Sequence, residues 1–217
     1  MSFYFGDILP YLPLMLEALW VSIYVTFISF VVGSVLGVLL SLAKTGPSSV
    51  VRAVASSYIE VMRNTPLLVQ LYLIYFGLGQ VGVQLNPLWS ALIGMTLNNS
   101  AYTAEIFRAG FASVPVGLRE AGTALALSKY QLFRYVVFKV GLRGIIPSLT
   151  NQLIILFLYS SVASVISLEE LTAILLNLNS QTLRTVEVFT FGAVLYWVTS
   201  ALIAAGARSV ERVMFRW

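Results

Sequence analysis

The chain has 217 residues, of which 59% are hydrophobic and 10% charged, with 13 Lys and Arg against 9 Asp and Glu and a formal net charge of +4. Soluble domains carry about 25% charged residues, so this composition, with a mean hydropathy of +0.88, excludes an ordinary soluble domain and points to a membrane protein. Cysteine and histidine are both absent, which removes disulfides, thiolate chemistry, His-based triads and His/Cys zinc sites.

The opening MSFYFGDILPYLPLM lacks the basic start of a cleavable signal and reads as mature protein ahead of the first span. That span is expected from Leu16 to Ala43. Thr26, Ser29, Gly33, Gly37 and Ser41 recur along it at small-residue spacing, with a GxxxG at Gly33, which predicts close helix packing. Lys44, Gly46, Pro47 and Ser48 end it.

The second span is interrupted. Val50 to Met62 reads as helix, Arg63-Asn64-Thr65-Pro66 follows, and Leu67 to Leu78 is apolar. Arg63 lies roughly 16 Å beyond Arg52 at helical rise, within the membrane envelope, where a guanidinium faces protein or a wet cavity. Pro66 is expected to kink the helix and free a carbonyl. Arg63 is thus a candidate partner for a carboxylate, with an internal ion pair to Glu60 or Glu105 as the structural alternative.

Gly79 to Asn86 forms an uncharged loop, and Pro87 opens a third span over Leu88 to about Ala109. Asn98, Tyr102 and Glu105 fall at i, i+4 and i+7, a polar stripe that belongs in a bundle interior. With Arg63 they are candidates for a pathway lining or gate; internal packing is the alternative for each.

Ser113 to Pro147 is the longest interval without an expected span. It holds Arg119, Lys129, Arg134, Lys139 and Arg143 against one acid, Glu120. Glu120 to Leu127 reads as a short helix, and Ser128 with Gln131 caps a second. Its small residues, Ala121, Gly122, Ala124 and Ala126, let another surface approach closely; an interfacial helix on lipid headgroups is the rival reading.

A fourth span is expected from near Pro147 to about Ile166, containing Asn151, Gln152, Tyr159, Ser160, Ser161 and Ser164. Leu168 to Glu187 suits a short outer helix, with Glu169, Glu170 and Glu187 against Arg184. The last span covers Val188 to about Ala207, followed by Arg208, Arg212 and Arg216. The bases gather beside the spans rather than in a nucleic-acid-binding module. By the positive-inside rule they put the central interval and the C-terminus in the cytoplasm and the N-terminus outside.

The central interval resembles the EAA loop of ABC importer permeases, in which EAA is followed after three residues by G and after nine more by I-x-L-P. Glu120, Ala121, Gly122, Ala126, Val136 and Phe138 fall on those positions, and Lys139 replaces the proline. RNTPLLVQLYLIYFGLG at Arg63 to Gly79, LNNSAYTAEIFRAG at Leu97 to Gly110, Asn151, Gln152 and SSVASVIS at Ser160 to Ser167 resemble the branch that imports polar amino acids.

That resemblance covers nearly the whole chain. It implies one all-α permease domain over residues 1–217, polytopic, with about five transmembrane helices and a cytoplasmic coupling-helix loop at about 113–147. It implies a bacterial cytoplasmic (inner) membrane location and three kinds of partner. These are a second permease subunit, an ABC ATPase dimer holding ATP and Mg, and an external amino acid-binding protein; no cofactor is expected in this chain. The helix over Glu120 to Ala126 would dock on the ATPase, with Glu120 meeting basic or backbone donors there. Two departures stand out. Asn64 replaces a glycine after the arginine, and Leu158, Tyr159, Ser160, Ser161 and Val162 stand where the family has Lys-Asp-Thr-Ser-Leu. Tyr159, Ser160 and Ser161 remain gate or substrate candidates, but the lost charged pair also suits a half that touches no substrate in a heterodimer. An ATP-independent channel or secondary transporter is the alternative of another class, opposed by the charged central interval and the lack of a clear inverted repeat. A membrane enzyme finds no catalytic set.

Overall fold

The computed structural model describes residues 4–214, and all regular structure among them is helical; Arg216 of the C-terminal basic group lies outside them. Short 3-10 turns at Phe5–Asp7 and Leu9–Tyr11 lead into α1, Leu12–Thr45. At 34 residues, α1 runs roughly 51 Å at helical rise. Gly46 and Pro47 end it, and Ser48 accepts from the Val51 amide to start α2, Ser49–Asn64.

The small residues of α1 do what their spacing predicts. Ser22, Thr26, Ser29, Gly33, Gly37 and Ser41 form its buried face. Ser29, Gly33 and Gly37 lie against α5, Pro87–Ala112, whose start is fixed by Pro87 in the first turn and by Asn86 accepting from the Trp89 amide at 2.9 Å. A Cβ on Gly33 would stand 2.7 Å from Asn99 Nδ2, and one on Gly37 2.9 Å from the Ala104 nitrogen. At that approach, polar groups bond across the helices: Thr103 Oγ1 donates to the Gly33 carbonyl at 3.2 Å and Ser29 Oγ to the Leu92 carbonyl at 3.4 Å.

Between α2 and α5 the chain breaks at Thr65 and Pro66. It resumes as α3, Leu67–Tyr72, widens to a π-helical turn at Leu73–Gly77, and ends with α4, Leu78–Gln80. Leu67, Leu71, Met95, Leu156 and Ile166 share one apolar core.

The central interval is shorter than expected. α6 spans Val116–Ala124, and α7, Lys129–Gln131, opens with the predicted Ser128–Gln131 capping box. From there a π-helical stretch, Leu132–Val137, leads into α8, Phe138–Tyr159, and a 3-10 extension, Ser160–Ile166. Pro147, expected to open the fourth span, lies inside α8. It removes one backbone hydrogen bond, but Val137, Gly141 and Ile145 supply a buried stripe at i, i+4 and i+8 that holds the helix before it. A Cβ on Gly141 would stand 2.8 Å from the Phe111 ring. Only Ser113 to Ser128 therefore separates the helices of the third and fourth crossings.

On the opposite end, α9, Leu171–Thr182, buries Leu171, Leu175 and Leu178 with Ile8, Met15 and Phe157 in a second core. α10, Thr185–Met214, closes the bundle. Arg184 pairs with Asp7 and lies 3.6 Å from Glu187, tying the N-terminal turn to the start of α10. Glu170, expected among surface charges, is fully buried.

Among the described residues, three helical stretches are long and apolar enough to cross a membrane: Phe5–Thr45, Lys129–Ile166 and Thr185–Val213. The other two expected crossings, α2 to α4 and α5, are less uniform for visible reasons: one is broken at Pro66, and the other carries the polar stripe.

Candidate functional site

Proline lacks an amide hydrogen, so the helix that ends at Asn64 leaves carbonyls open at the break. Gln70, one turn into α3, closes them. Its Nε2 lies 2.9 Å from the Met62 carbonyl, 3.1 Å from that of Thr65 and 2.8 Å from Thr65 Oγ1. Asn98 completes the seal, donating to Met62 O at 3.3 Å and to Gln70 Oε1 at 3.1 Å. Asn98 is thus a buried partner of the broken helix rather than a groove-lining residue. Gln70 escaped the sequence reading, although a lone glutamine four residues past a membrane proline is a signal for this repair.

Asn99 was missed as well. Successive helical residues point about 100° apart, so Asn98 and Asn99 serve different neighbours. Asn99 is fully buried, donates to the Phe30 carbonyl at 3.3 Å, and accepts from Gln152 Nε2 at 3.1 Å. One side chain thereby joins α1, α5 and α8.

Beyond this seam opens a groove of about 760 Å³. Arg63 from the end of α2, Tyr102, Glu105 and Ile106 from α5, and Gly144, Pro147, Ser148, Asn151 and Gln152 from α8 line it. The Arg63 guanidinium stands over the Tyr102 ring, 5.4 Å from its centroid, and the Tyr102 hydroxyl donates to the Arg63 carbonyl at 3.4 Å. The ion pair considered for Arg63 is not made with any described carboxylate. Glu105 instead takes Lys44 Nζ at 2.5 Å and Arg108 Nη2 at 2.8 Å. The groove therefore holds an exposed guanidinium and a carboxylate already neutralised from two sides. That arrangement favours an anionic group at Arg63.

Tyr159, Ser160 and Ser161 do not join it. They lie at least seven residues past Gln152, roughly 10 Å along the helix. Ser160 is fully buried with its hydroxyl on the Phe157 carbonyl at 2.7 Å, Ser161 donates to Leu158 O at 2.6 Å, and Tyr159 is exposed.

The EAA-like segment forms a second locus. Glu120, Ala121 and Ala126 are exposed, whereas Gly122 is buried and its close approach is internal: a Cβ there would meet Leu132 Cδ1 at 2.5 Å. The helix stops at Ala124, not Leu127. Leu127 N donates to Gly122 O at 3.1 Å and Ala126 N to Thr123 O at 2.9 Å, a Schellman ending with Ala126 in the left-handed region at φ 55°. Arg119 Nη2 donates to the Phe111 carbonyl at 2.6 Å, and Phe111, Phe133 and Phe138 cluster with centroids 5.6 to 6.4 Å apart, so α6 is tethered to the end of α5.

Among the described residues no cluster of metal-ligating side chains occurs. The model of the family described as binding-protein-dependent transport system inner membrane component matches residues 11–216. The glutamine transport system permease protein GlnP of Escherichia coli (strain K12) is 33% identical over 216 residues, covering 99% of each chain. The arginine transport system permease protein ArtQ of Bacillus subtilis (strain 168) is 30% identical over 213 residues, covering 98% of this chain and 97% of the other. In structure the chain is similar to an amino acid ABC transporter crystallised with histidines, with a TM-score of 0.92, 34% identity, and 98% of this chain and 99% of that one covered. The MetNI methionine ABC transporter in an inward-facing form shares the fold, with a TM-score of 0.76 at 23% identity over 94% of this chain and 98% of that one.

Proposed function

The chain belongs to the binding-protein-dependent transport system inner membrane components and is a permease subunit of an ABC importer, and from that premise we propose that it carries a polar amino acid across the cytoplasmic membrane. The single observation that supports this reading best is the groove between α2, α5 and α8, where Arg63 offers a guanidinium to a carboxylate while Glu105 is held by Lys44 and Arg108. Membership in the family replaces the ATP-independent channel or secondary transporter, and its members are transport subunits rather than enzymes.

In this reading residues 1–217 form one permease domain, paired with a second permease that is a related chain or another copy. An ABC ATPase dimer supplies ATP and Mg chemistry from below, and an external amino acid-binding protein delivers substrate. α6 faces the ATPase from the cytoplasm, with the C-terminus on that side and the N-terminus outside. Closure of the ATPases biases which side the groove opens to, and the tether from Arg119 to Phe111 passes movement of α6 to α5, which carries Tyr102 and Glu105. The open guanidinium in this chain's own groove favours contact with substrate over a purely structural half, despite the absent charged pair near Tyr159.

The test is to purify the chain gently from native membranes and identify its partners by mass spectrometry, then reconstitute that complex and measure uptake of labelled amino acids. An ABC ATPase in the complex with binding-protein-dependent uptake of a polar amino acid is expected. A complex with no ATPase, or uptake confined to a substrate without a carboxylate, would overturn the reading.

A further inference from the structure

A second pocket, of about 390 Å³, lies between the last turns of α1 and α5 and the segment that carries α6. Its walls are of two kinds. Val38, Leu42, Phe133 and Val137 give it apolar lining, and Arg108 and Arg119 are its charged lining residues. We propose that this pocket binds the headgroup of an anionic phospholipid, with the adjoining acyl chain along Val38 and Leu42.

The donors are in place and not consumed. A guanidinium carries five N–H donors. Arg119 uses Nη2 on the Phe111 carbonyl, which leaves its Nη1 to meet an anion. Arg108 spends Nε and Nη2 on Glu105. Lys44, Arg108 and Arg119 stand against the one carboxylate of Glu105, so the cluster keeps a net positive charge that calls for an anion.

The position selects the source of that anion. The pocket sits where the apolar runs of α1 and α5 end, the level expected for headgroups, and its lining residues Leu42 and Val38 are 63% and 38% exposed. A free phosphate would satisfy the arginines and leave the apolar wall open, whereas a phospholipid satisfies both. Basic pockets between membrane helices on the cytoplasmic side bind anionic headgroups on this principle. Arginines that merely reach for the membrane surface extend outward; Arg119 instead turns inward onto the Phe111 carbonyl. A headgroup held by Arg108 on α5 and Arg119 on α6 bridges the groove-bearing helix and the α6 segment.

Native mass spectrometry of the assembled complex, titrated with phosphatidylglycerol or phosphatidylcholine, tests this. Preferential retention of phosphatidylglycerol is expected, with Arg119→Gln weakening it about tenfold, the loss of one charge-assisted hydrogen bond. Leu42→Trp, which fills the apolar wall without touching a charge, is expected to displace the lipid and carries the test if Arg119→Gln does not assemble. Lys139→Gln, a base outside the pocket, is expected to keep the preference. Equal retention of both lipids, equal loss in Lys139→Gln, or a preference unchanged in both pocket variants would overturn the proposal. So would inorganic phosphate binding as tightly as phosphatidylglycerol. None of these outcomes depends on which amino acid is carried.

Discussion

Gln70 reaches back across the Pro66 break and donates to the carbonyl of Met62 at 2.9 Å. In a membrane, a carbonyl freed by proline has no water to turn to, so this side chain is a structural requirement of the break. Gln70→Leu keeps the volume and removes the donor. It leaves the Thr65 carbonyl unpaired and takes Gln70 Oε1 away from Asn98. A loss of about 2–3 kcal/mol is expected, read as a lower melting temperature of the solubilised chain; an unchanged melt would show that water or lipid has taken over those bonds.

Glu105 is shared by Lys44 and Arg108, so its removal and that of Lys44 are not equivalent. Glu105→Gln leaves two cations side by side, whereas Lys44→Ala leaves Arg108 still paired. The groups are partly exposed, with side chains 15% to 39% accessible. After screening, the first change is expected to cost about 1–2 kcal/mol and the second less than about 1 kcal/mol. A double-mutant cycle in thermal unfolding measures the coupling, and strictly additive costs would mean that the Lys44–Glu105 pairing contributes nothing.

Ala126 occupies the position that the EAA pattern gives to glycine, and it stands at φ 55°. An L-residue is strained there and glycine is not. Ala126→Gly is expected to stabilise the chain by about 0.5–1 kcal/mol, detected as slower proteolysis of the segment between α6 and α7. A destabilised variant would mean that the methyl group makes a contact worth more than the strain.

Glu120 is exposed on α6 and joins no described ion pair. As the proposed docking residue it is expected to matter only in the complex. Glu120→Lys should insert and melt like the parent chain, yet lose most ATPase co-purification and coupled uptake. Normal uptake would sink the docking role.

The order of the helices, the small-residue face of α1 and the Ser128–Gln131 cap were legible because each rests on local spacing. The start of the fourth helix was not. Pro147 looked like a boundary, but the stripe of Val137, Gly141 and Ile145 pays for the bond it removes. The stripe of Asn98, Tyr102 and Glu105 was read as one feature, and packing divides it: Asn98 repairs the Pro66 break while the other two face the groove. Asn99 and Glu170 were hidden for a common reason. Their roles depend on groups from distant segments, and nothing in the adjacent sequence reveals which helices will meet them.

Glu170 shows that dependence most fully. It caps α9 by accepting from the Ala173 amide at 2.9 Å, and it receives Ser22 Oγ from α1 at 3.2 Å and the Tyr196 hydroxyl from α10 at 2.9 Å. Burial pushes its carboxyl above the usual carboxylate range, against the opposing pull of these hydrogen bonds. The folded chain therefore holds its proton more tightly than the unfolded chain does. The stability this contributes is fully present below the unfolded carboxyl's pKa and is lost as pH rises through the raised folded value. Glu170→Gln, which mimics the protonated form, is expected to melt with a flatter pH profile than the parent chain and at least as high a temperature at neutral pH. Glu170→Ala strands the Ala173 amide and removes the acceptor that the Ser22 and Tyr196 hydroxyls share, at an expected cost of about 3 kcal/mol at low pH that shrinks as pH rises. Parallel pH profiles for the parent chain and Glu170→Gln would place the titration elsewhere and leave Glu170 as a cap alone.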